Sequence, residues 1–286
     1  MLRVFSGWRG FVSLFFLLNS CNDRDNLPGN TQSGFSEKEV DLGRKLFFFN
    51  GLSGDGKQNC ASCHLPQKAF SSEKILKSNG FERNVPSLLN LEKSTRFFWD
   101  GRETNLESLV IKPILSKAEM HGNLVLAIAW MNKSRKWKKD FETVYGRDTI
   151  YTALVARALS SYVRSLTVKP SMPLADSDYK RGKAMFQALC QSCHKGEAFT
   201  DFALRRSVIA AEGPDSGHFS ISHRKQDVYF FKTPGMARIA QTAPYTHDGR
   251  FSTLESLLMA YSREPGMQDL KNEKSRKALL KYMKTL

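Results

Sequence analysis

Two pentapeptides, Cys60-Ala61-Ser62-Cys63-His64 and Cys190-Gln191-Ser192-Cys193-His194, repeat the pattern C-x-x-C-H. In this pattern paired thiols bond covalently to haem vinyl groups and the adjacent histidine ligates iron. A chain that carries it twice must fold around two large, flat, apolar cofactors. Other uses of paired cysteines fit less well. A zinc site does not need histidine directly after both pairs, and a redox-active dithiol calls for a βαβ setting that the chain does not offer.

The remaining cysteine belongs to the leader. Arg3 and Arg9 precede a short apolar run, Phe11 to Leu18, too short to span a bilayer, so residues 1–20 read as a secretory signal. Leu18-Asn19-Ser20-Cys21 resembles a bacterial lipobox, in which cleavage precedes a cysteine that carries diacylglycerol; an ordinary signal with a free Cys21 is the alternative. Residues 21–35, polar and rich in Asn, read as a flexible tether. The expected location is the periplasm, with the membrane reached through a lipid anchor on Cys21. The formal charge of +15 falls to about +13 when Arg3 and Arg9 are removed (15 − 2), and haem propionates lower it further. A basic surface of this kind could steer an acidic donor protein or rest on anionic lipid, and it is equally compatible with a solvated Lys-rich face. No nucleic-acid-binding signature accompanies it.

The flanks of the two motifs repeat as well. Gly43-Arg44-Lys45-Leu46-Phe47 and Gly182-Lys183-Ala184-Met185-Phe186 precede them, and Ala69-Phe70-Ser71 and Ala198-Phe199-Thr200 follow, which reads as one module duplicated. Val40, Leu42, Leu46 and Phe47 keep helical spacing after a Ser36-x-x-Glu39 capping box; Tyr179, Met185, Phe186 and Leu189 do so after Asp176. Further helices are expected over Asn123–Met131, Trp137–Tyr145 and Asp148–Leu166, and a last one over Thr253–Tyr261 after a Ser252-x-x-Glu255 box. Alternating strand patterns are scarce. The expected fold is mainly α, with two cytochrome c-like haem domains, at 36–168 and 169–286, long loops and little β.

Two haems can carry electrons or activate peroxide, and the sixth iron position decides between these uses. Between His64 and Met120 there is neither His nor Met, so that stretch offers no such ligand for the first haem, although His121 and more distant residues stay open.

The ordered set Leu42-Gly43-Arg44-x-Leu46-Phe47, C-x-x-C-H, Arg83-Asn84-x-Pro86-Ser87-Leu88-Leu89-Asn90, Trp99-Asp100-Gly101-Arg102, Pro113, Glu119-Met120, C-x-x-C-H, Lys232-Thr233-Pro234 and Thr242-Ala243-Pro244-Tyr245-x-His247-Asp248-Gly249 resembles the bacterial di-haem cytochrome c peroxidase/MauG family. The resemblance runs through nearly the whole chain after the leader. It implies that the His64 haem in the N-terminal domain is peroxidatic, with Glu119 as acid–base and Pro113 shaping the pocket. The His194 haem would be the electron-transfer centre, and Trp99 the aromatic relay between the two. Asn84, Thr242 and Pro244 match the family's inter-domain calcium site. Tyr261, seventeen residues after Pro244, matches the distal ligand of the second haem, which is Met in the peroxidases and Tyr in MauG-type proteins. Met259, Met267 and Met236 are its rivals, and His247 ranks below it. A glutamine common in the family is replaced by Leu109, so the expected pocket lacks a polar group.

The implied activity is peroxidase: H2O2 with two electrons and two protons gives two waters, the electrons coming from a small periplasmic cytochrome c or cupredoxin. A MauG-type oxidase modifying side chains of a partner protein, and a non-enzymatic electron-transfer cytochrome, are the alternatives. A homodimer is compatible with either enzyme.

Overall fold

The computed structural model describes residues 34–171, 176–207, 209 and 213–286. The signal, Cys21 and the tether up to residue 33 lie outside the described residues, as does part of the segment joining the expected domains.

Helix α1, Glu37–Phe47, begins where the capping pattern places it, with the Glu39 N–H donating to Ser36 Oγ at 3.2 Å. The Glu39 carboxylate does not complete the box. It turns inward instead, accepting from Tyr145 Oη at 3.0 Å and Arg157 Nε at 2.6 Å. Leu42, Leu46 and Phe47 are buried against α5, Thr152–Ser165. Glycine at position 43 lets the two backbones approach, since a Cβ there would lie 1.9 Å from the Ala158 carbonyl oxygen. Helix α2, Leu106–Leu115, α3, Leu124–Lys133, and α4, Arg135–Tyr145, complete the first core, and α4 ends at left-handed Gly146 as its sequence predicts.

The second half repeats this construction. Helix α6, Ser177–Leu189, is capped by Asp176, whose Oδ1 accepts from Tyr179 N at 2.9 Å. It packs on α9, Glu273–Met283, through Gly182, where a Cβ would lie 2.0 Å from the Ala278 oxygen. Phe47 meets Tyr162 edge-on at 5.1 Å between ring centroids, and Phe186 meets Tyr282 at 5.2 Å. The duplication thus includes the helix that closes each half. The sequence reading ends its helices at Tyr261 and misses both α2 and α9. In α9 the charged residues mask a buried stripe of Ala278, Leu279, Tyr282 and Met283, and in α2 Pro113 interrupts the pattern. The cap of α8, Leu254–Tyr261, is also one residue later than expected: Thr253 Oγ1 accepts from Ser256 N, while Glu255 pairs with Arg276 of α9.

Strand structure among the described residues is confined to two antiparallel hairpins. Strand β1, Ile75–Ser78, pairs with β2, Phe81–Asn84, and β3, Leu204–Arg206, pairs with β4, Phe230–Lys232, while the short helix α7, Phe219–Ser222, sits between β3 and β4 in sequence. The mainly helical fold expected from the sequence is therefore what the chain adopts.

Arg83 at the end of β2 joins the halves. It is 2% exposed, donating through Nη1 to Asp100 Oδ2 at 2.6 Å and through Nε and Nη2 to the two carboxylate oxygens of Asp215 at 2.7 and 2.9 Å. Arg102 adds a second cation on Asp100 at 2.7 Å, so two guanidinium groups neutralise two carboxylates out of water. Around this cluster Asn84 N donates to the His247 carbonyl, Lys232 N to that of Trp99, and the His218 ring bonds the Asp100 carbonyl at 2.7 Å. Replacing Arg83 by Met would leave Asp100 sharing one cation and Asp215 with none. Denaturant unfolding of the Arg83→Met protein should report a loss of about 3–5 kcal/mol.

Candidate functional site: two haem-binding hairpins and the cavity between the halves

Both C-x-x-C-H segments form the same backbone hairpin. His64 N donates to Cys60 O at 2.9 Å and His194 N to Cys190 O at 2.9 Å; Cys63 N and Cys193 N donate to those same oxygens at 3.2 Å. The five-residue motif is thereby wound into one turn that sets both thiols and the imidazole on a common site. Each ring is then oriented from behind. His64 Nδ1 lies 3.0 Å from the Phe70 carbonyl and His194 Nδ1 lies 2.9 Å from that of Phe199, so Nδ1–H donates and Nε2 stays free as a ligand. Phe70 and Phe199 both adopt positive φ, 55° and 50°, which turns their carbonyls toward the rings. Burial lowers the pKa of both imidazoles, which favours the neutral form that binds metal, against the opposing pull of the backbone carbonyls. Burial also pushes the Cys60 and Cys190 thiols up to about 12, unlike the thiolates of a zinc site. No cluster of three His, Cys, Asp or Glu side chains able to hold a metal ion occurs among the described residues.

Beside the second hairpin lies a cavity of about 410 Å³, within the range of roughly 300–1,000 Å³ usual for cofactor sites. Its wall includes Cys190, Cys193, His194, Tyr261 and a largely apolar set such as Met236 and Leu258. Arg205, Arg206 and Lys232 line it, and among the described residues no Asp or Glu does. An apolar slot with thiols and imidazole in one wall, cations elsewhere and no carboxylate suits a flat ring bearing two carboxylates. The residues present fit c-type haem.

Tyr261 reaches this cavity from the last turn of α8. Burial, with the nearby Cys190 and Cys193 sulfurs adding to it, pushes its hydroxyl up to about 12. Met267 and Met236 line the same cavity, whereas Met259 is 43% exposed on α8. Trp99, Asn84, Thr242, Pro244 and His247 also line it. Trp99 is 9% exposed, its Nε1–H donating to the Asn84 carbonyl at 2.8 Å and its ring packed with Phe231. His247 stacks on that same Phe231 at 4.0 Å. The Asn84 amide nitrogen meets the Pro244 carbonyl at 2.5 Å and that of Thr246 at 3.3 Å, while Asn84 Oδ1 is buried without a hydrogen-bond partner.

The first hairpin has a different neighbour. Residues 116–121 fold back on α2, with Met120 N on the Pro113 carbonyl at 3.2 Å and Gly122 N on that of Ile114 at 2.7 Å. This turn carries Glu119, and its Met120 carbonyl accepts from Gly54 N at 2.9 Å. Burial raises the Cys63 thiol, Lys74 opposes the rise and the Glu119 carboxylate adds to it, so the two groups are close enough to interact electrostatically. Burial also raises the pKa of Glu119 itself, with Arg102 opposing. His121 stands exposed at the end of the turn, and Leu109 packs on the first core.

Pattern alone could find the C-x-x-C-H residues, whereas Glu119 and Trp99 are reached only through the family resemblance. Pattern could not find Lys232, which the sequence offers only as the first residue of a tripeptide, nor the carbonyls of Phe70 and Phe199, since any residue carries a carbonyl.

With this geometry described, similarity to other proteins becomes specific. A family model described as di-haem cytochrome c peroxidase matches residues 37–184. Methylamine utilization protein MauG of Methylorubrum extorquens is 30% identical, the match covering 92% of this chain and 82% of that protein. Cytochrome c551 peroxidase of Pseudomonas aeruginosa is 28% identical over 75% of this chain and 69% of its own length. Among solved structures, a MauG-like protein associated with microbial copper homeostasis superposes with a TM-score of 0.79 at 23% identity, covering 91% of this chain and 92% of that one. The diheme peroxidase BthA of Burkholderia thailandensis gives 0.72 at 18% identity, with 88% and 86% covered.

Proposed function

The chain belongs to the di-haem cytochrome c peroxidase family, and from that membership we propose that it is an exported peroxidase. In this reading it reduces H2O2 to two waters with two protons and two electrons from a small cytochrome c or cupredoxin. The observation that carries it is the Glu119 carboxyl, half-buried on the 116–121 turn, its pKa raised by burial and its charge felt at Cys63.

When bound through Cys60, Cys63 and His64, the haem supplies an iron position for peroxide and the electrons that cleave the O–O bond. The protein's part is proton handling and positioning. Glu119 takes the proton from the oxygen of H2O2 nearer the iron and delivers it to the farther oxygen, so that water leaves rather than hydroxide. The turn hydrogen-bonded to the Pro113 carbonyl holds Glu119 in place, and Leu109 contributes apolar surface instead of a second proton donor. Trp99, fixed by its bond to the Asn84 carbonyl, is the π-system positioned to pass electrons between the halves. Cys190, Cys193 and His194 would hold the second haem, which would supply electron storage and the entry point for donor electrons. Export to the periplasm and anchoring through Cys21 complete this reading.

A MauG-type oxidase acting on a partner protein is the second reading, favoured by Tyr261 in the cavity wall and by the MauG relative. For calcium, the support is the orphaned Asn84 Oδ1, on an amide whose nitrogen donates to the Pro244 carbonyl; a cation bound by Oδ1 with the Thr242 and Pro244 carbonyls would give that oxygen a partner.

Glu119→Gln should lower peroxide-driven oxidation of a reduced donor by about 10²–10⁴-fold while both haems remain attached. Unchanged turnover in a steady-state assay would contradict the role. Because a base must be unprotonated and burial raises the pKa of Glu119 above 4.5, the wild-type rate should fall as pH drops through that raised value, and the Gln variant should lose that limb. If Asn84 helps hold calcium, chelation should lower the thermal unfolding midpoint and added Ca2+ should restore it; an unmoved midpoint argues against the ion.

A further inference from the structure

Lys232 ends β4 at the junction of the halves, with its backbone N–H on the Trp99 carbonyl at 2.7 Å and its side chain in the cavity wall. It is 9% exposed. Among the described residues no carboxylate, carbonyl or hydroxyl accepts a hydrogen bond from its ammonium; Nζ lies over the face of Phe202, 5.7 Å from the ring centroid. A buried ammonium without an anion is costly, and natural proteins retain one where an anion arrives. Burial alone, with nothing opposing it, pushes this amine down to about 8.

The other charges in the cavity show what that anion is. Arg205 is already engaged with Asp201 at 2.9 Å, and Arg206 lies exposed at the rim. Among the described residues Lys232 is therefore the buried cation of the wall not paired with a carboxylate, and no described lining residue is Asp or Glu. The group that fits beside Cys190, Cys193 and His194 brings two carboxylates of its own.

We propose that Lys232 pairs with a propionate of the haem held by Cys190, Cys193 and His194, and that this pairing sets that haem's reduction potential. Covalent attachment is left to the thiols. Reduction adds one negative charge at the iron, which a neutralised propionate tolerates better than a free one. Removing the ammonium should disfavour the reduced state of this haem and leave the His64 haem, on the other hairpin, nearly unaffected. The inference rests on haem binding at the second hairpin and not on the peroxidase reading.

The test is spectroelectrochemical titration of the full holoprotein, resolving the two haems, for wild type, Lys232→Gln and Lys232→Arg. The expected result for Gln is both haems still attached and the reduction equilibrium constant of the His194 haem lowered by a factor of about 10, equivalent to about 59 mV for a one-electron couple. Arg, which keeps the charge, should restore most of the shift, a recovery that a purely structural role would not give. An unchanged potential in the Gln variant, or an equal fall at both haems, would overturn the proposal. Should the variants not fold, resonance Raman of the wild type decides, since a propionate bending band for the His194 haem at the position of a free, solvated carboxylate is incompatible with the pairing. A potential shift in a protein without peroxide turnover would leave this inference standing while removing the function proposed above.

Discussion

The Arg83 guanidinium is the point on which the arrangement of the two halves depends. It takes Asp100 from the first half and Asp215 from the second into one buried cluster. A buried ion pair often adds little net stability against an apolar replacement, because desolvation offsets the attraction. Its effect here is geometric: two bonds to Asp215 and one to Asp100 fix the relative orientation of the segments that carry them. Asn84 follows Arg83 and Trp99 precedes Asp100, so the residues that receive the Trp99 indole proton and present its ring are neighbours of the clamp. Holding the clamp holds the aromatic ring at the junction.

On that frame the duplicated module gives two sites that are equal in their proximal half and unequal in their surroundings. The hairpins, the carbonyl behind each imidazole and the glycine contact between the flanking helices agree to within about 0.1 Å in the corresponding distances. A duplicated chain preserves what attachment demands. The remaining walls differ: a turn bearing Glu119 approaches the first hairpin, whereas α8 brings Tyr261 to the second. A carboxyl raised by burial can exchange protons near an iron site, and a phenol in a cavity wall can fill a coordination position. One module is thus given two different surroundings by the segments inserted after it.

Much of this was legible in the residues. C-x-x-C-H marks haem because attachment needs that spacing, and Ser36 and Asp176 mark helix starts because their side chains satisfy free N–H groups. Helix α9 was not legible, because charged residues surround its buried stripe and its partner α6 lies far away in the chain. The Arg83 clamp was hidden for a similar reason: Asp215 is 132 positions distant and sits in a stretch with no periodicity. The charge balance of the cavity is a property of many residues brought together, and no single motif encodes it.

The proposed function requires two unequal haem sites, one open and one closed by a side chain. Electron paramagnetic resonance of the resting ferric holoprotein measures this directly. The account predicts one high-spin and one low-spin signal, with the high-spin signal consumed by stoichiometric H2O2. Two low-spin signals that peroxide leaves unchanged would contradict it.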